Sequence, residues 1–295
     1  MEEAGNINRL LPCFLAYFPT LIFLPKLFNL RIMSTLLEFG WYHLFLKGRD
    51  ARCGIMIKPI LIIKTGNTIE SLLACGEDFE DWFVRGSGYG EEYFVVKSLH
   101  KNEKLDAIDS ISGVIVTGSP AYITDEEQWN FVGADYLREA HDSLIPILGV
   151  CYGHQLVAWA FDGDVAFNPS GREIGTVSIR LTEAAREDPL FSDTPKRFNA
   201  QISHQQSVIR LPLNAVRLAA NEFVLNQAYR IGDTTWGIQF HPEFSAEVVR
   251  EYIIARSEAL SEEGIDSQAL LNAVKDTPHS GAVLQKFCGL VFGDC

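Results

Sequence analysis

The apolar and polar positions after Met56 alternate between two kinds of segment. Short apolar runs that end at or beside a glycine occur in PILIIKTG (59–66), GVIVTGS (113–119) and SLIPILGV (143–150). Such runs are typical of strands buried on both faces of a parallel sheet. Helical patterns lie between them, through 68–86 and 126–143. This alternation predicts an α/β fold, a three-layer, doubly wound domain with a mostly parallel sheet.

The second half of the chain has a different pattern. Five segments follow one another with little helix between them: GTVSIRLT, KRFNAQIS, AVRLAAN, QAYRIGD and TTWGIQFH. Their alternation, and turn residues such as Gly232 and Asp233, predict strands joined by hairpins. We therefore expect an antiparallel extension of the sheet, followed by a helix from about Ser245.

The first 55 residues differ from the rest of the chain. Their apolar stretch between Arg9 and Lys26 is interrupted by Pro12 and Pro19 and is shorter than the roughly 20 residues of a membrane-spanning helix. We interpret 1–55 as an atypical leader outside the fold, with a weak membrane anchor as the alternative. We expect the main domain over 56–262 and a C-terminal helical tail over 263–295.

Charge and cysteine spacing narrow the possible partners. The formal net charge of −13 argues against nucleic acid, which needs clustered lysine and arginine. The six cysteines form no C-x-x-C pair and no ligand spacing with histidine, which predicts reduced thiols in a cytoplasmic protein and no metal.

GSGYG (86–90) departs from the dinucleotide-binding fingerprint and no Walker A pattern occurs, so we expect no cofactor.

Cys151 lies in the sequence GVCYGHQ, between an apolar strand pattern and an apolar helix pattern. Gly149 and Gly153 stand two residues to either side, the spacing of a nucleophile elbow with cysteine in place of serine. A thiol at such a corner lies at a helix N-terminus, where the helix dipole favours the thiolate. The alternative is a small buried core residue.

A candidate base follows far along the chain, in WGIQFHPEF. His241 and Glu243 are two residues apart at the expected end of a strand, so their side chains should leave the same face. Glu243 could orient the imidazole, which would take the proton of Cys151 and later give it to a leaving amine. The alternative for His241 is a structural histidine at a strand end.

Acyl chemistry also needs hydrogen-bond donors for an oxyanion. Elbow geometry predicts the backbone N–H of Tyr152 as one donor. The turn TGSP offers a second at Gly118 or Ser119, although a plain strand-to-loop corner is an alternative interpretation of this turn.

Together, GVCYGHQ, TGSP, SHQQSVIRLP and FHPEF resemble the class I glutamine amidotransferase family, especially the amidotransferase domain of GMP synthase, over about 59–260. The resemblance implies a flavodoxin-like architecture and hydrolysis of the side-chain amide of glutamine through a γ-glutamyl thioester. It assigns the triad to Cys151, His241 and Glu243. The turn has Ser119 where the family commonly has a second glycine.

The same resemblance predicts the substrate contacts. It places Gln155, His204 and Gln205 where the family holds the α-amino and α-carboxylate groups of glutamine. The alternatives are a solvent-facing Gln155 and a His204 that caps a strand. SHQQSV also lacks the aspartate that often follows the histidine in the family.

Three functions remain open at this stage. The first is release of ammonia from glutamine for an unknown acceptor, with any synthetase partner on a separate chain. The second is a γ-glutamyl peptidase that acts on a γ-glutamyl small molecule, and the third is a catalytically idle regulatory module. The room beyond the scissile amide should distinguish the first two.

Overall fold

The computed structural model describes residues 57–293, so the expected leader, 1–55, lies outside the described residues. The strands are β1 (Ile60–Lys64), β2 (Phe94–Ser98), β3 (Gly113–Val116), β4 (Ile147–Val150), β5 (Asp164–Phe167), β6 (Glu173–Leu181), β7 (Arg197–His204), β8 (Gln206–Arg210), β9 (Val216–Ala220), β10 (Ala228–Ile231) and β11 (Thr235–Ile238). The helices are α1 (Glu70–Ala74), α2 (Phe79–Ser87), α3 (Gln128–Asp142), α4 (Tyr152–Ala160), α5 (Ala246–Ala255), α6 (Ser257–Glu262), α7 (Ser267–Ala273) and α8 (Pro278–Phe292).

Nine strands form one sheet in the order β2-β1-β3-β4-β11-β10-β9-β6-β7, and β5 pairs with β8 separately. The neighbours from β2 to β11 are parallel, and those from β11 to β7 are antiparallel. The parallel half has the flavodoxin-like strand order. The predicted doubly wound fold with an antiparallel extension is confirmed.

The two faces of the sheet carry separate hydrophobic clusters, which gives the three layers. Along β1, Ile60 and Ile62 point into the cluster with α2, α5 and α8, whereas Leu61 and Ile63 point into the cluster with α3 and α4. All four side chains are buried because helices cover both faces, which is why the strand has a continuous apolar run.

The first helical pattern, 68–86, forms two helices where the sequence suggested one. Gly76 has a φ of +78° and ends the first of them, α1. Asp78 then caps α2, with its carboxylate accepting from the N–H of Phe79. A glycine in the left-handed region and a strong N-cap residue so close together favour a new helix over a continued one.

The chain beyond Glu262 continues onto the core of the sheet. Val283, Leu284 and Phe287 of α8 are buried in the same cluster as Ile60 and Ile62 of β1. The predicted boundary at 262/263 stays a prediction. Within 57–293, no helix combines the length and apolar character needed to cross a membrane.

Candidate active site

Cys151 lies at the corner between β4 and α4 with a φ of +53° and a ψ of −100°. This left-handed backbone is costly for a residue with a side chain. The corner also requires its two glycines: a Cβ on Gly149 would lie 2.4 Å from the carbonyl oxygen of Gly153, and a Cβ on Gly153 would lie 2.4 Å from that of Val116. The local sequence therefore forms the sharp turn that the spacing predicts.

Backbone hydrogen bonds tie this corner to the neighbouring strands. The N–H of Cys151 donates to the carbonyl of Ile238 (2.9 Å), and the N–H of Gly153 donates to that of Thr117 (3.1 Å). The thiol, 3.8 Å from the carbonyl oxygen of Ser203, is at the N-terminus of α4. The positive end of that helix dipole is therefore next to the thiol.

His241 and Glu243 form a buried pair beyond the end of β11. Nδ1 of His241 donates to Oε1 of Glu243 at 2.7 Å, and the two side chains are 3% and 0% exposed. The backbone N–H of His241 donates to the carbonyl of Gln201, which joins this segment to β7. His241 and Cys151 line the same pocket. The structure thus brings the three predicted residues of the triad together.

The electrostatics of this group favour a charged imidazole. Burial alone lowers the pKa of His241, but Glu243 and Cys151 outweigh burial and raise the pKa to about 10. Oε2 of Glu243 is buried and has no partner among the residues that the structure describes. A protonated imidazole beside it compensates the carboxylate, as a buried charge requires.

The turn after β3 lies beside Cys151. The hydroxyl of Ser119 donates to the carbonyl of Thr65 (2.7 Å) and accepts from the N–H of Ala121 (3.1 Å). Ser119 does not have a positive φ, so its backbone does not need the left-handed conformation that favours glycine. Gly118 packs against the imidazole, since a Cβ on it would lie 3.1 Å from Cε1 of His241.

Two pockets meet at Cys151. Pocket A, about 250 Å³, is bordered by the predicted residues Ser119, Tyr152, Gln155, His204 and Gln205. Pocket B, about 120 Å³, lies on the side of His241. Their shared wall consists of Ser119, Pro120, Cys151, Ser203 and Arg256. A substrate bound at Cys151 can therefore extend in two directions.

The predicted substrate residues border pocket A, but most of their polar atoms already have protein partners. Gln155 is buried, not solvent-facing, and its Nε2 donates to the carbonyl of Gln206 (2.8 Å). His204 has Nδ1 beside the same carbonyl (2.8 Å) and Nε2 beside Glu173 (3.0 Å). Oε1 of Gln205 accepts from the hydroxyl of Tyr122. Substrate contacts by these residues stay a prediction, and His204 offers no ring nitrogen without a partner.

Several residues of the site were not predicted from the sequence. Phe244 stacks on His241, and Glu173 accepts from Asn221 and Gln227 as well as facing His204. The walls of the pockets also include Asn67, Thr68, Arg172, Tyr252 and Arg256. Phe244 lies inside the FHPEF motif, but the others come from separate strands, loops and helices that carry no motif. In the described part of the chain, no cluster of three His, Cys, Asp or Glu residues could hold a metal ion.

Comparison with known proteins assigns this architecture to a family. The family model "Glutamine amidotransferase class-I" matches residues 73–258, more than half of the chain. The chain therefore belongs to the class I glutamine amidotransferase family, as its motifs predicted.

Individual relatives include synthases and a peptidase. GMP synthase [glutamine-hydrolyzing] from Cytophaga hutchinsonii is 33% identical over 171 residues, which is 55% of this chain and 32% of the synthase. The chain thus spans about a third of the length of that synthase. Gamma-glutamyl peptidase 4 from Arabidopsis thaliana is 28% identical over 189 residues, 63% of this chain and 70% of the peptidase.

A solved structure shares the fold. The crystal structure of a glutamine amidotransferase from Thermotoga maritima has a TM-score of 0.64 and 21% identity, and the match covers 79% of this chain and 98% of the other. At this identity the likeness shows the fold alone.

Proposed function

We propose that this protein is an enzyme that hydrolyses γ-glutamyl amides through a thioester on Cys151, with glutamine as the simplest substrate. The observation that carries the proposal is the elbow thiol in the same pocket as an imidazole whose Nδ1 is held 2.7 Å from a buried carboxylate. Membership of a glutamine amidotransferase family supports the substrate.

The proposed first half-reaction starts from the thiolate and the imidazolium. Cys151 attacks the γ-carbonyl carbon, and the carbon–nitrogen bond breaks as His241 gives its proton to the leaving nitrogen. Ammonia or an amine departs, and the γ-glutamyl group remains as a thioester. The stacked ring of Phe244 and the carboxylate of Glu243 would hold the imidazole in the orientation for this transfer.

The second half-reaction restores the enzyme. Neutral His241 takes a proton from water, and the hydroxide attacks the thioester carbon. The carbon–sulfur bond breaks, Cys151 leaves as thiolate, and glutamate departs as a carboxylic acid that ionises in solution. In both halves the N–H of Tyr152, the first residue of α4, would stabilise the oxyanion, because the first N–H groups of a helix have no partner within it. The N–H of Gly118 or Ser119, in the turn after β3, would be the second donor.

A second candidate is the γ-glutamyl peptidase reaction, which uses the same steps with a larger leaving amine. Pocket B favours it, because its volume of about 120 Å³ exceeds the roughly 30 Å³ that a molecule of the size of water or ammonia takes up. The relative from Arabidopsis thaliana, of which the match covers 70%, is a peptidase by name. Ammonia transfer would instead use an acceptor and a synthetase on a separate chain.

The decisive experiment incubates the purified protein with glutamine and with a panel of γ-glutamyl amides, and measures glutamate release. We expect turnover of at least one compound, and a covalent adduct on Cys151 with a glutamine-like chloroketone. Cys151→Ala should lower the rate by more than about a thousandfold. The absence of both turnover and adduct would contradict the proposal and favour an idle module, and wild-type rates in Cys151→Ala would contradict the mechanism.

A further inference from the structure

Pocket B has on its wall His241, the proton donor of the proposed reaction. The group that protonates a leaving amine must be next to the nitrogen when the bond breaks. His241 lines pocket B and does not line pocket A, whereas Cys151 lines both. A γ-glutamyl amide whose glutamyl part lies in pocket A and whose carbonyl carbon meets Cys151 would therefore direct its amide nitrogen, and whatever this nitrogen carries, into pocket B.

Two arginines lie at these pockets, and they differ in their partners. Arg172 pairs with Glu263, with Nη2 at 2.9 Å and Nε at 3.0 Å from the carboxylate oxygens. Arg256 lines both pockets and rests on Tyr252, with its guanidinium carbon 4.6 Å from the ring centroid. Among the described residues no carboxylate pairs with Arg256, and its Nη1 is buried without any hydrogen-bond partner. Burial of an unpaired cation is costly, and a bound anion would remove this cost.

A second polar atom of pocket B also has no partner. Asn67 lines this pocket, and its Oδ1 is buried without a hydrogen-bond partner in the described part of the chain. Thr68, next to Asn67, shares a hydrogen bond of 2.8 Å with the hydroxyl of Tyr252. This bond joins the loop of Asn67 to the tyrosine on whose ring Arg256 lies. The wall thus combines an unused acceptor with an unused cationic donor.

The other charges around pocket B are already compensated. His241 faces Glu243 at 2.7 Å, and Cys151 interacts with the same imidazole. Arg256 is the remaining positive charge of the described pocket wall. Ammonium, the protonated form of released ammonia, offers nothing to a guanidinium, because both are cations that only donate hydrogen bonds.

We propose that pocket B selects a leaving amine that carries a carboxylate, and that Arg256 binds this carboxylate as the specificity-determining residue. The preferred substrate is then a γ-glutamyl amino acid or short γ-glutamyl peptide, whose amide N–H faces Asn67. This inference rests on the proposed γ-glutamyl amide hydrolysis and specifies its substrate class.

The test compares γ-glutamylglycine with γ-glutamylglycinamide, which has nearly the same shape but no negative charge on the leaving group. For the wild-type protein we expect kcat/KM to be about tenfold higher for γ-glutamylglycine, as for a partly buried charge pair. In Arg256→Gln the ratio of the two values should fall to about one, and Arg256→Lys should keep part of the preference. Arg250→Gln, which removes a cation on α5 that lines neither pocket, is the matched control and should keep the wild-type ratio.

Binding to Cys151→Ala, measured by calorimetry with the same two compounds, separates this proposal from the proposed function. If no compound is hydrolysed but Cys151→Ala binds γ-glutamylglycine about tenfold more tightly than the glycinamide, the substrate class stands and the hydrolysis fails. Equal values for the two compounds, in turnover or in binding, overturn the role of Arg256. In Arg256→Gln, an equal loss of kcat/KM for both compounds also overturns the role of Arg256. That result would arise if Arg256 contacted the glutamyl part or the thiolate and not the carboxylate of the leaving amine.

Discussion

The imidazole of His241 lies nearly parallel to the phenyl ring of Phe244, with the centroids 3.9 Å apart and the planes at 11°. Phe244 is itself packed edge-on against Trp82, with the centroids 5.4 Å apart. Together with Glu243 on Nδ1 and Gly118 beside Cε1, this stacking restricts rotation of the imidazole. Nε2 is then the nitrogen left for proton transfer.

Phe244→Leu should misplace the imidazole and leave its charges intact. We expect kcat for a γ-glutamyl amide to fall about tenfold with little change in KM, since small misplacements of a reacting group are costly. Phe198→Leu, at a buried phenylalanine that lines neither pocket, is the control for lost packing. Equal losses of kcat in the two variants, measured at conditions where both are folded, would contradict a role in orientation.

Glu243→Gln should shift the alkaline limb of the pH profile of kcat/KM to lower pH. Glu243 is the main group that raises the pKa of His241 to about 10 against the effect of burial. Without its charge the imidazolium loses its proton at lower pH, so kcat/KM should begin to decline at lower pH than in the wild type. The measurement is a pH–rate profile from neutral pH to pH of about 10.5. Glu247→Gln, at an exposed carboxylate on α5, should leave the limb in place.

The same pair makes stability depend on pH. Because the pKa of His241 is raised in the folded state from 6.5 to about 10, its protonation contributes stability that is fully present below pH 6.5. This contribution declines as pH rises and is lost above about 10. We expect the free energy of unfolding of the wild type, measured in urea, to decrease over this pH range. The decrease should be smaller in Glu243→Gln. An identical decrease in both proteins would show that other groups cause it.

Gly153→Ala should disrupt the corner at Cys151. The added Cβ would lie 2.4 Å from the carbonyl oxygen of Val116, which is backbone and cannot rotate away. We expect a loss of about 2 kcal/mol or more in the free energy of unfolding, measured by urea denaturation. Gly281→Ala in α8 is the matched control: its Cβ would have ordinary contacts at 3.8 Å, and the change should stabilise the protein by about 0.5 kcal/mol. A larger loss at Gly281 than at Gly153 would contradict this geometry.

Replacing Cys151 should reveal the strain of its backbone. Both Cys151→Ala and Cys151→Gly remove the thiol, but only glycine adopts a φ of +53° and a ψ of −100° without a Cβ penalty. We expect the glycine variant to have the higher free energy of unfolding, by about 1 kcal/mol. At Cys288, inside α8, the order should reverse, with alanine more stable by about 1 kcal/mol. The same order at both positions would show that no strain is stored at the elbow.

Local sequence determines most of the fold of the described region. The apolar runs at 59–66, 113–119 and 143–150 became central strands, because a continuous run is what a strand covered on both faces requires. The hairpin at Gly232 and the helix capped by Ser245 also follow from local signals. The strand β2 was missed, since its five half-buried residues lie at the sheet edge and lack such a run.

The candidate triad could be predicted for a similar reason. Cys151 depends on two glycines beside it, and His241 and Glu243 lie within one short motif, so each half of the triad has a local signal. What joined the halves in the sequence was the resemblance to a family. In the structure they are joined by β4 and β11, which are neighbours in the sheet.

Only the tertiary structure decided the surroundings of the thiol. Asn67 follows β1, Arg172 precedes β6, and Arg256 follows α5, so nothing in their spacing indicates that they border adjoining pockets. The structure also gave His204 a partner at each ring nitrogen, one of them a glutamate on another strand. Backbone turns and strand patterns depend on neighbours in sequence, whereas the pairing state of a buried charge depends on groups that meet only when the sheet and its helices have packed together.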